Sequence, residues 1–121
     1  MNGLAQITID GQSVVLKFGL PALRQIVRSY TTTEMLVGDE YSELGITHIL
    51  FAGYENGCAM ENKVSAIPFK KFYEYVEQVD DEAVKQEIIG AMRAFEESKA
   101  VRDHLAKKKM PEATSPSTST Q

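Results

Sequence analysis

A single cysteine, Cys58, stands among the 121 residues, so no internal disulfide can form and nothing in the sequence demands an oxidising compartment. Long apolar runs are missing as well. The most apolar window, Ile46 to Tyr54, is interrupted by His48 and Gly53 and falls short of the roughly 18 consecutive apolar residues of a membrane span. The opening Met1-Asn2-Gly3-Leu4-Ala5-Gln6 lacks a basic segment followed by an apolar run of about 7 to 15 residues, and does not read as a secretory signal. A soluble, cytoplasmic protein with no membrane contact is expected. An excess of positive charge is absent too. The net charge is -4 and the pI near 5.2, which argues against nucleic acid as the partner, because that binding draws on Lys and Arg neutralising phosphates.

Recognisable catalytic and metal-binding patterns are equally scarce. No pair of His or Cys stands at i, i+4 and there is no CxxC, so no metal site is expected; Glu40 and Glu43 near His48 make a weak trio that reads as solvated acids at a helix start. The histidines, His48 and His104, fall on different predicted helices. Cys58 follows His48 by ten residues on one helical segment, about 15 Å along the axis at 1.5 Å per residue, too far for a nucleophile and its base. Cys58 reads as a small helical residue. Gly53-Tyr-Glu-Asn-Gly57 has glycines without the preceding strand or the spacing of a phosphate loop. No enzyme activity and no cofactor are therefore expected.

What is present is enough apolar material, 43% of residues, for one core without disulfides or metals. A single α+β domain over 1–109 is expected, mostly helical: an N-terminal β-hairpin, about four α-helices, and a disordered tail over 110–121. The hairpin spans 4–18. Ile7-Thr8-Ile9 and Val14 to Phe18 flank Asp10-Gly11, a dipeptide favoured in two-residue type I′ turns. With that turn Ile9 opposes Gln12, Ile7 opposes Val14 and Ala5 opposes Leu16. One face is then mainly apolar and the other carries Gln6, Thr8, Ser13, Val15 and Lys17. A lone hairpin is marginal, so it must dock on the helices, and its free edge is a first suspect for partner binding.

Pro21 suits the first turn of a helix over 21–30 whose stripe is Leu23, Ile26, Val27 and Tyr30. Thr31 to Glu40 reads as an acidic connecting loop. Ser42 can cap a helix over 42–57, ending near Gly57 or Met60, with Ile46, Ile49, Leu50, Gly53 and Tyr54 on one face, Gly53 permitting close approach of a neighbouring helix. A helix over 68–79 turns Phe69, Phe72, Tyr73 and Val76 inward, leaving Tyr75 for its outer face; stacking of these tyrosines on a nucleic acid beside Lys70 and Lys71 is weaker than core packing. Asp80-Asp81-Glu82 caps the last helix, over 81–106, whose stripe is Val84, Ile88, Ala91, Met92 and Phe95. Past Phe95 the stripe thins, leaving Val101 and Leu105 exposed unless covered. The acids Glu34, Asp39, Glu40, Glu43, Glu55 and Glu61, and the basic run Lys99 to Lys109, read as solvated surface. Residues 110–121 are Ser/Thr/Pro-rich and expected to be disordered.

The stretches Ile7-Thr-Ile-Asp-Gly-Gln-Ser-Val-Val-Leu-Lys-Phe-Gly19, Leu20-Pro-Ala-Leu-Arg-Gln-Ile26, Ile46-Thr-His-Ile-Leu-Phe-Ala-Gly-Tyr-Glu55 and Pro68-Phe-Lys-Lys-Phe-Tyr-Glu-Tyr-Val76, in this order, resemble the tail assembly chaperones of long-tailed bacteriophages and prophages. The resemblance runs over residues 4 to 98. It implies a protein that coats the long helical tape measure protein and keeps it soluble while tail tube protein polymerises around it. Such a protein acts in the bacterial host cytoplasm, is absent from the mature virion, and needs no catalytic residues. Its partners would be the tape measure protein, the tail tube protein and, given the uncovered surfaces, further copies of itself. Many members also exist in a form extended by ribosomal frameshifting; Lys107-Lys108-Lys109 would suit an A-rich slippery run, and equally reads as plain charge. For the client contact, Tyr54 on the outer surface and Val101 and Leu105 on the last helix are the candidate residues. The alternative is a small non-phage adaptor that binds its partner through the hairpin edge.

Overall fold

The structure, a computed structural model, describes residues 3–32, 36–37 and 40–98. Strand β1, Leu4–Ile9, pairs antiparallel with β2, Gln12–Lys17, in the expected register: Ile9 against Gln12, Ile7 against Val14, Ala5 against Leu16. Asp10 and Gly11 take φ of 53° and 76°, both left-handed as a type I′ turn requires, and this is why Asp-Gly sits there. Ile7, Ile9, Val14 and Leu16 are buried while Gln6, Thr8, Ser13 and Val15 stay exposed, so the alternation is honoured. The two strands cannot hold this face dry alone; β2 lies on the second helix and β1 on the fourth.

Helix α1, Leu20–Thr32, buries Ala22, Leu23 and Ile26 against α2, Glu43–Met60. Its stripe is narrower than the spacing implied, since Val27 is exposed; the Tyr30 side chain lies outside the described residues. The segment read as a plain loop holds one short antiparallel pair, β3 (Leu36–Val37) with β4 (Glu40–Tyr41). Strands of two residues are too short to display an alternation that a sequence reading can detect.

Helix α2 runs through the middle of the fold and meets β2, α1, the third helix and the fourth. Ser42 caps it, its hydroxyl accepting the Gly45 N–H at 2.9 Å. The helix is buried on several sides, with Thr47, Ile49, Leu50, Ala52, Gly53, Tyr54, Asn56 and Gly57 inside, so a one-sided stripe described it incompletely. Gly53 does serve a close approach, but to the hairpin rather than to a helix: a Cβ there would stand 2.6 Å from Phe18 Cε1 and 3.2 Å from Leu16 Cβ. Gly57 likewise faces the β2 backbone, where a Cβ would meet the Val15 carbonyl at 3.4 Å, and the helix continues through it. It ends at Met60, the later of the two expected ends, where Asn62 takes a φ of 57° and the Lys63 N–H returns to the Cys58 carbonyl at 2.8 Å, an asparagine in the role glycine more often fills.

Helix α3, Phe69–Val76, buries Phe72, Tyr75 and Val76, with Phe69 and Tyr73 half-buried. Tyr75 is thus a core residue, 3% exposed, and not the outward-facing one. Its polar tip is satisfied, because the hydroxyl donates to Glu87 Oε1 at 2.7 Å. Phe72 meets Phe51 and Tyr54 at ring separations of 5.3 and 5.2 Å, which ties α3 to α2. Helix α4, Glu82–Glu97, starts at Asp81, whose carboxylate accepts the Ala83 and Val84 N–H groups. It buries Ile88, Ala91, Ala94 and Phe95, the last edge-on to Phe18 at 5.6 Å. The helix stops at Glu97, with Ser98 in extended backbone, so it does not run unbroken towards 106. Residues 99–121, including the expected tail, lie outside the described residues. Among those described, no helix is long and apolar enough to cross a membrane.

Candidate partner-binding surface

The edges of the hairpin are the first surface to consider, because an unpaired strand edge offers backbone groups to another chain. On the β1 side the outward Thr8 N–H donates to Glu87 Oε1 at 3.0 Å and the Thr8 hydroxyl to Glu87 Oε2 at 2.8 Å. The same carboxylate accepts the Tyr75 hydroxyl. Burial first, and then the hydrogen bond and charge of Glu87, push the Tyr75 phenol well above its ordinary pKa and keep it a donor. On the β2 side the Lys17 carbonyl accepts Asn56 Nδ2 at 2.8 Å, and Gly57 packs beside Val15 and Lys17. Helix α4 therefore closes one edge near the turn and α2 closes the other near the base.

Between these closures, the part of β2 next to the turn borders a groove of about 290 Å³ whose other wall is the end of α2 and the α2–α3 connection. Gln12, Val15, Tyr54, Cys58, Val64 and Ile67 are among the residues lining it. Val64 is 88% exposed and Val15 47%; nearby in sequence, Met60 is 66% exposed at the end of α2. At the rim, Glu61 bridges Lys63 at 3.1 Å and Lys17 at 3.3 Å. The hydrogen bond from Lys63, then that from Lys17, hold the Glu61 carboxyl below its usual range. The exposure of Val64 had no signal in the sequence, since a lone valine in a non-periodic stretch resembles any other loop valine. Val15 was legible, falling on the outer hairpin face by alternation.

Tyr54, expected at the outer surface, is instead buried. It is 7% exposed, its ring packs on Phe72, and its hydroxyl accepts the Ala66 and Ile67 N–H groups at 2.8 and 3.0 Å. Only a margin of it reaches the groove, and its main work is to anchor the connection before α3. Val101 and Leu105 lie outside the described residues, so the structure does not bring the expected contact residues together.

His48 and Cys58 sit on the one continuous helix α2, ten positions apart and hence about 15 Å along its axis. They form no nucleophile and base pair. His48 instead packs against Phe69 with the rings tilted by 43° and their centres 4.7 Å apart, and burial lowers its pKa from the ordinary 6.5. Among the described residues, no group of three or more His, Cys, Asp or Glu side chains is arranged to hold a metal ion. Set beside known proteins, the chain matches no family model, no curated protein and no solved structure.

Proposed function

We propose that this chain is a tail assembly chaperone of the kind found in long-tailed bacteriophages and prophages, binding the tape measure protein and keeping it soluble while the tail tube assembles. The observation that carries the reading is the order of elements. The sequence stretches that resemble that family fall, one after another, on the hairpin, α1, α2 and α3, with the turn and register of the hairpin as the residues require. On this reading the protein works in the host cytoplasm, by contact and not by catalysis, and is left out of the finished particle. The client is a long apolar helix, so the contact surface should be apolar and accessible. Val101 and Leu105, beyond the described part of the chain, keep their place as the contact residues; Tyr54, being buried, does not.

The adaptor reading needs a free hairpin edge. It draws less support, because Glu87 occupies the Thr8 N–H and Asn56 the Lys17 carbonyl. The two readings separate in a co-elution experiment. The purified chain is mixed with the longest helical protein encoded beside it, solubilised in mild denaturant and diluted, and run on a sizing column. Co-elution supports the chaperone; aggregation of the helical protein, with this chain eluting alone, overturns it.

A further inference from the structure

No further inference is drawn: the strongest candidate, the groove between the turn-proximal part of β2 and the α2–α3 connection with the exposed Val15 and Val64 beside it, carries nothing because nothing in the structure shows what covers it.

Discussion

Two glycines in helices should answer the same substitution with opposite signs. In a helix interior, glycine to alanine is intrinsically favourable by about 1 kcal/mol, since alanine has less backbone freedom to lose. At Gly90, on the exposed side of α4, an added Cβ meets nothing within 4 Å, so Gly90→Ala should deliver most of that gain, about 0.5–1 kcal/mol. At Gly53 the same methyl would stand 2.6 and 2.9 Å from Phe18 ring atoms and 3.2 Å from Leu16 Cβ. The Phe18 ring is 7% exposed and lies edge-on against Phe95, so it has little room to swing away. Leu16 Cβ is fixed to a strand and has less. Overpacking of this kind typically costs about 1–3 kcal/mol, and the closeness of the contact puts Gly53→Ala at the upper end, a net loss of about 1–2 kcal/mol after the helical gain. For a domain of this size each kcal/mol moves the melting temperature by roughly 4–8 °C, so the two variants should melt on opposite sides of the parent. Urea unfolding should show the same order in midpoints at an unchanged slope. If Gly53→Ala stabilises as much as Gly90→Ala, α2 does not lie against the hairpin as described.

The Glu87 carboxylate accepts from Thr8 N–H, Thr8 hydroxyl and Tyr75 hydroxyl, and Glu87→Ala removes the acceptor for all of them; it should cost about 1–3 kcal/mol and speed hydrogen exchange at the Thr8 amide, whereas unchanged exchange would remove Glu87 from its role at the β1 edge. Burial lowers the His48 pKa from 6.5, so the unfolded chain takes up the proton first; stability from this group is intact above that value and falls as pH drops through the interval down to the folded pKa. His48→Gln should accordingly lose less melting temperature than the parent between about pH 7.5 and pH 5.5, and an equal loss in both would refute the assignment. Replacing Val101 and Leu105 together by Ser should abolish solubilisation of the tape measure protein without lowering the melting temperature of this chain; solubilisation that survives moves the client surface elsewhere.

The hairpin was legible residue by residue, because a two-residue turn fixes register and register fixes faces: Asp10-Gly11 and the alternation around it leave one solution. Helix caps at Ser42 and Asp81 were legible for a similar reason, each being a local side chain to backbone contact. Positions decided by the rest of the molecule were not. Tyr75 is buried and Tyr73 only half-buried, and the hydroxyl of the buried one finds its partner in Glu87, twelve residues later and on another helix. Gly57 resembles a helix terminus, yet its lack of a side chain serves the β2 backbone while Asn62 ends the helix. Tyr54 belongs to the same class, since its hydroxyl holds two amides of a connection that periodicity does not describe. A stripe identifies which residues are apolar on one side, and α2 is covered on several.

The fold is compatible with many binding roles, and the central claim is that this one holds a long helical client. Its most direct test is the soluble fraction of the tape measure protein, taken as the longest helical protein encoded beside this chain, when expressed in bacteria with and without it. The account predicts that the client is mostly insoluble alone and mostly soluble, and co-purified, when this chain is present. A client that stays insoluble while this chain is abundant and soluble would contradict it.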